Sequence, residues 1–164
     1  MDPVGELNAK FDAAVQKSAL IYYESTSVRV YQHGVAYEIR YCPSLAKKPV
    51  SQLTDAPATP PKRNPFLPVD PDLFIEEVAP AHSLLFNKYS VIRPHLLLVT
   101  RDFCPQDATL TEDDFAAVGN FFAKYGPDWL CFYNCGRLSG ASQPHRHFQF
   151  VPLGDMKPIR GQVV

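Results

Sequence analysis

Neither sign of charge dominates this sequence. Sixteen Lys and Arg stand against seventeen Asp and Glu, a formal net charge of −1. No overall basic field therefore exists to draw the chain onto nucleic acid or an anionic membrane, and neither is expected as a partner. No apolar run approaches the roughly 20 residues of a membrane-spanning helix. The opening residues, Met1-Asp2-Pro3-Val4-Gly5-Glu6, have neither the basic start nor the apolar stretch of a secretory signal. Cysteine is scarce: Cys42, Cys104, Cys131 and Cys135 are too few and too scattered for a disulfide framework. Reduced thiols and a cytoplasmic location are the expectation. What remains is 164 residues, 46% apolar and 12% aromatic, enough to bury a core in a single domain spanning 1–164.

Residues 4–21 place Val4, Leu7, Phe11, Val15 and Leu20 close to the spacing of one helical face. Val28 to Tyr31 and Val35 to Tyr41 are rich in β-branched and aromatic residues, and Gln32-His33-Gly34 between them predicts a hairpin. Between Pro43 and Pro71 lie eight of the chain's sixteen prolines. Proline has no amide proton for a helix or a ladder, so a surface loop is expected at about 43–71, irregular and mobile from about 50 to 70. Strand texture returns over Ser83–Tyr89 and Pro94–Thr100. Thr111-Glu112-Asp113-Asp114 is a helix start, with Thr111 as cap and acids in the first turn. Phe115, Val118 and Phe122 supply an apolar stripe, and Gly126-Pro127 a stop, predicting a helix over 112–125. Two further strands follow, at Trp129–Asn134 and His145–Val151. This order predicts an α+β fold, a mainly antiparallel sheet with flanking helices.

The chemistry concentrates near the end of the chain. On a strand, side chains alternate, so His145, His147 and Gln149 share one face while Phe148 and Phe150 take the other. The loop before them, from Asn134 through Gly140-Ala141-Ser142-Gln143, is small and polar, suited to cradling phosphate oxygens with amides and hydroxyls. Two histidines with a cysteine also suit zinc. Against that reading, Cys131 and Cys135 lack tight Cys-x-x-Cys spacing, so no metal site is expected, and the cysteines are read as plain core residues. His33, His82 and His95 are assigned no function.

His145-Arg146-His147-Phe148-Gln149 resembles the His-x-His-x-Gln signature of the nucleotidyltransferase branch of the histidine-triad superfamily. More closely, the chain resembles the N-terminal half of fungal-type ATP adenylyltransferases, the diadenosine tetraphosphate phosphorylases. Further blocks appear in the same order: Leu45-Ala46-Lys47-Lys48-Pro49, Asn64-Pro65-Phe66-Leu67-Pro68, Phe86-Asn87-Lys88-Tyr89, His95 to Thr100, and Phe132-Tyr133-Asn134-Cys135-Gly136. The likeness runs from about residue 35 to 153.

The resemblance implies a histidine-triad-like fold and a nucleotidyltransferase acting on diadenosine polyphosphates through a nucleotidyl-histidine. Its substrates would be a nucleotide or dinucleoside polyphosphate and inorganic phosphate, with no cofactor beyond a divalent cation accompanying the nucleotide. His147 would be the nucleophile and His145 would hold it through its carbonyl. Gln149 would donate to a phosphate oxygen, favouring transfer over hydrolysis. Lys48, Asn87, Lys88, Asn134, Gly140, Ala141, Ser142 and Gln143 would bind substrate. Members of that family are roughly twice as long, so a second, C-terminal domain is expected to be absent here, leaving apolar surface and favouring a homodimer. Two other functions fit the residues: a truncated nucleotide-binding module without turnover, and an enzyme using the histidine pair as acid and base on a non-nucleotide small molecule.

Overall fold

The computed structural model describes residues 2–44 and 63–154. Lys48 and most of the proline-rich stretch, including the mobility expected of it, lie outside the described residues. Helix α1, Pro3–Gln16, starts where the Asp2 side chain accepts from the Val4 amide and Pro3 occupies a position that needs no donor. It ends earlier than the 4–21 periodicity suggests. Lys17 caps it and Ser18 turns to a positive φ of 59°, so Leu20 reaches the core from outside the helix. Strand β1, Ile21–Tyr22, follows. The hairpin is β2, Thr26–Gln32, paired with β3, Val35–Tyr41. Its two-residue turn puts His33 at φ 51° and Gly34 at φ 75°, the left-handed pair that suits the twist of adjoining strands. The register places Val28, Val30, Val35, Tyr37, Ile39 and Tyr41 on one face, and all six are exposed.

The rest of the chain builds the core. Strands β4 (Phe74–Val78), β5 (His82–Phe86), β7 (Leu96–Thr100), β8 (Trp129–Phe132) and β9 (His147–Pro152) form an antiparallel sheet in the order β4-β5-β7-β9-β8. The short β6, Tyr89–Ser90, pairs parallel with β1. Both β5 and β7 are buried along their whole length, which explains their nearly continuous apolar sequence. The sheet's back carries the main core: Leu84, Phe86, Leu96, Leu98, Phe148 and Phe150 pack against Leu7, Phe11 and Ala14 of α1 and against helix α2, Glu112–Tyr125. The front carries a smaller cluster of Leu85, Leu97 and Val99 under Phe66, leaving room beside it for polar side chains.

Helix α2 occupies the predicted span. Thr111 and Asp114 form a reciprocal capping box, of the kind that contributes about 1 kcal/mol. The buried stripe, however, is not the predicted Phe115, Val118 and Phe122. It is Asp114, Ala117, Phe121 and Tyr125, with Phe115 exposed and the other two half-buried. The two stripes lie one residue apart around the helix, and a buried ion pair selects between them. Asp114 Oδ2 accepts from Arg146 Nη1 at 2.7 Å, and Oδ1 from His82 Nε2 at 3.0 Å. Phe121 then stacks on Phe150 with ring centroids 3.8 Å apart.

Candidate functional site

Strand β9 lies between β7 and β8, its His147 opposite Val99 and its Gln149 opposite Leu97 and Phe132. His145 is held just ahead of the strand by an isolated bridge to Pro105. Alternation sends Arg146, Phe148 and Phe150 to the back, where Arg146 meets Asp114 and the phenylalanines enter the core. His145, His147 and Gln149 occupy the front.

His145 is fully buried. Its Nε2 lies 2.8 Å from the Thr100 carbonyl and 2.9 Å from the Thr100 hydroxyl, while Nδ1 lies 2.9 Å from Asn64 Nδ2. The Asn64 amide is oriented because its Oδ1 accepts from the Phe66 amide at 3.0 Å. Asn64 therefore donates to Nδ1, and Nε2 carries the proton. With both ring nitrogens engaged, His145 offers no lone pair to a metal. Among the described residues no group of three or more His, Cys, Asp or Glu is placed to hold one.

The His145 carbonyl faces His147, with 2.8 Å between it and Nδ1. His147 donates there, which leaves the lone pair on Nε2. Burial holds the His147 pKa below its ordinary value; the bond to His145 opposes this and the charged form of His145 reinforces it. Burial likewise lowers the pKa of His145, against hydrogen bonds to the Thr100 and Asp102 backbone. A neutral imidazole with one nitrogen tethered is a ready nucleophile. Phe66 packs on both rings at 5.5 Å between centroids.

Gln149 is oriented in the same manner. Its Oε1 accepts from His95 Nε2 at 2.9 Å, so its amide protons point away from His95. Asn87 Nδ2 lies 3.3 Å from His95 Nδ1, and Asn87 Oδ1 accepts from the Tyr89 amide. Asn87, His95 and Gln149 thus form a relay in which each group fixes the next. Asn134 follows β8, with its carbonyl 2.9 Å from Gln106 Nε2. In the loop after it, the Ser139 and Ala141 amides bond back to the Gly136 carbonyl. Two of the loop's donors are therefore already engaged. Gly140 turns at a φ of 85°, and Ala141, Ser142 and Gln143 follow at or near the surface. Lys88 is exposed, and among the described residues its side chain forms no hydrogen bond or ion pair with the histidine strand.

Four residues that sequence reasoning passed over belong to this site. His95 shares the front face with Leu97 and Val99 by two-residue alternation, a signal present in the sequence. Asn64 stands before Pro65 and Phe66, an Asx-turn pattern whose free amide could not be aimed without the fold. Thr100 acts through its carbonyl and Gln106 from irregular backbone, and neither position carries a periodic signal.

His82 is a fourth buried histidine, and it too changes meaning: it lies behind the sheet, donating to Asp114. Burial lowers its pKa, outweighing the hydrogen bond and charge of Asp114. His82, His145 and His147 are thus all held below the ordinary 6.5. The unfolded chain then binds more protons than the folded one, so stability is complete above about pH 6.5 and declines as the pH falls through the lowered values. Asp114 is also lowered: burial pushes it up, but bonds from Thr111 and His82 and the Arg146 charge prevail. Its contribution is lost only further down, below the carboxylate range. The expected result is a urea midpoint that falls between about pH 7 and 5, before carboxylates titrate; a flat midpoint there would contradict it.

An α+β domain with a His-x-His-x-Gln strand inside an antiparallel sheet has clear relatives. Residues 4–162 match the family model described as Ap4A phosphorylase N-terminal domain, and the chain belongs to that family. Diadenosine 5',5'''-P1,P4-tetraphosphate phosphorylase 2 of Saccharomyces cerevisiae is 32% identical, over 92% of this chain and 52% of its own length. Protein APA1 of the same yeast is 30% identical, over 90% of this chain and 48% of its own. The chain spans about half the length of the curated relatives it matches. Crystal structures of yeast Ap4A phosphorylase Apa2 superimpose on it. The complex with AMP does so at a TM-score of 0.74 and 28% identity, over 92% of this chain and 49% of that one. The complex with Ap4A gives 0.74 and 29%, over 93% and 52%.

Proposed function

We propose that this chain provides the nucleotidyl-transfer centre for diadenosine tetraphosphate, using His147 as nucleophile. The observation that carries this reading is the tethering of His147 Nδ1 to the His145 carbonyl, which leaves a neutral Nε2 on the front face of the sheet, the face that also carries Gln149. Family membership and the AMP and Ap4A complexes of the yeast relative support the choice of substrate. In the first step Nε2 bonds to an α-phosphorus while the bridging P–O bond breaks, and ATP leaves with the electron pair. The imidazolium formed is stabilised by the His145 carbonyl that receives its Nδ1 proton in a hydrogen bond. In the second step inorganic phosphate attacks the adenylyl-histidine, the N–P bond breaks and ADP leaves. Phosphoryl-type transfer needs positioned donors more than acids. Gln149 supplies one, its amide aimed by His95. Asn87, Lys88, Asn134, Gly140, Ala141, Ser142, Gln143 and Lys48 complete the phosphate and ribose contacts.

The test is incubation with labelled diadenosine tetraphosphate, with and without phosphate. Covalent label discharged as ADP upon phosphate addition supports the reading. Nucleotide binding with no label and no products would point instead to a binding module.

Gln149 sets the fate of the intermediate. Gln149→His places a group able to exchange protons with water where an amide that does not titrate stands now. The adenylyl group is expected to pass increasingly to water, giving AMP in place of ADP, with label formation retained. An unchanged product ratio in the presence of phosphate would remove position 149 from that role.

A further inference from the structure

Gln106 lies in irregular chain between β7 and α2, yet it is buried to 3% exposure. Every polar group it carries is used. Its Oε1 accepts from the His147 amide at 2.7 Å, and its Nε2 donates to the His147 carbonyl at 3.2 Å and to the Asn134 carbonyl at 2.9 Å. Its own amide donates to the Pro144 carbonyl at 2.8 Å, and its carbonyl accepts from the Tyr133 hydroxyl. Nothing else described here holds both the donor and the acceptor of one residue's backbone with a single side chain. That residue is His147, at the point where β9 begins. Its ladder partner on β7, Val99, is the last one; beyond it the backbone-to-backbone bond between the two segments is that of the Thr100 amide to the Arg146 carbonyl. On the β8 side pairing starts only at Gln149 and Phe132.

The gap between β8 and the first residue of β9 is therefore closed by the Gln106 side chain instead of by a strand. We propose that Gln106 is a positioning residue. It stands in for the missing ladder, fixing the His147 peptide and, through the Asn134 carbonyl, the spacing between the nucleophile and the loop that receives phosphate. This rests on the nucleophilic role of His147 proposed above. A primary amide suits the task because it offers an acceptor on one side and two donors on the other. No other uncharged side chain of this size presents an acceptor together with two donors. Loss of the clamp lets the His147 imidazole swing with its peptide, and misplacement of about 1 Å is enough to slow a reaction by ~100-fold while leaving ligand contacts elsewhere intact.

Gln106→Glu is the sharpest test, since it preserves shape and the acceptor for the His147 amide. It replaces the donor with an oxygen facing two carbonyls. When ionised, that oxygen is repelled by both; when protonated, it donates again. Adenylylation in a single turnover, with diadenosine tetraphosphate saturating, should therefore be about 100-fold slower than in the unaltered chain near pH 8. Its deficit relative to the unaltered chain should shrink as the pH is lowered toward about 5.5, because acid removes the His147 lone pair from both proteins alike but restores a donor only in the variant. AMP affinity, measured by calorimetry, should change by less than about threefold. Gln106→Leu, of similar volume and with neither donor nor acceptor, should show the same slowing with a deficit that acid does not shrink. Labelling of Gln106→Glu at the unaltered rate, a loss in AMP affinity that matches the loss in rate, or a deficit that shrinks in acid for Gln106→Leu would each overturn the proposal. Absence of label on the unaltered chain is a different failure: it removes the nucleophilic role of His147, on which the clamp depends.

Discussion

His147→Ala is expected to abolish covalent labelling and to lower turnover of diadenosine tetraphosphate by at least ~1,000-fold, because no neighbouring group can assume the attack. His145 is the nearest imidazole, but Thr100 and Asn64 occupy both of its nitrogens. Binding of AMP should persist, since the proposed donors on Gln149, Asn134 and the following loop are untouched. A histidine standing on an open strand face could be removed with stability almost unchanged. The structure buries His147 to 4% exposure against Phe66, and its loss strips the His145 carbonyl of a donor. A destabilisation of about 1–3 kcal/mol is expected instead, still compatible with folding. Quenched reactions with labelled nucleotide check the first part, and urea unfolding the second. Turnover at the parent rate would exclude His147 as nucleophile.

The largest loss of stability should come from the back of the same strand. Asp114→Ala is expected to cost about 3–5 kcal/mol, because it leaves a charge in the core without its partner. Asp114 is 1% exposed and Arg146 4%. Without the carboxylate, the guanidinium loses its counter-charge and keeps the Thr109 carbonyl at 3.0 Å, with its Nε already lacking a partner. His82 loses the acceptor for its ring proton, and the Thr111 amide and hydroxyl lose the capping oxygen. Urea unfolding at neutral pH, read as a change in midpoint at constant slope, measures this. Pairing the change with Arg146→Met removes the stranded charge and should restore part of the loss, because an apolar pair can replace a buried ion pair at little cost. A single-variant loss below about 1 kcal/mol would show that water reaches the pair and that its burial is unimportant.

These two residues illustrate what the sequence disclosed. Alternation along His145 to Phe150 is a local property, so the division into a polar front and an apolar back could be read directly. The helix at 112–125 was equally plain, since Thr111 and Gly126 mark its ends through backbone chemistry alone. Which face it buries was not. That depends on Arg146, 32 residues further along, drawing Asp114 inward against a competing aromatic stripe. Strand β4 escaped notice because Glu76 and Glu77 interrupt its apolar pattern. Their side chains are satisfied elsewhere, Glu76 by Tyr125 and Lys124 and Glu77 by Arg101. The site follows the same logic. His145, His147 and Gln149 lie in one short segment, whereas the groups that hold them in place arrive from Asn64, His95, Thr100 and Gln106, brought together only once the sheet has assembled.

The central claim is that His147 Nε2 takes the adenylyl group. Its most direct test is peptide mapping by mass spectrometry under alkaline, non-reducing conditions that preserve an N–P bond, after mixing the protein with diadenosine tetraphosphate and no phosphate. The expected result is a single adenylyl group on the peptide containing His145 to Pro152, localised to His147 by fragmentation and lost as ADP when phosphate is added. An adduct on any other residue, or ADP and ATP formed with no adduct at any time, would contradict it.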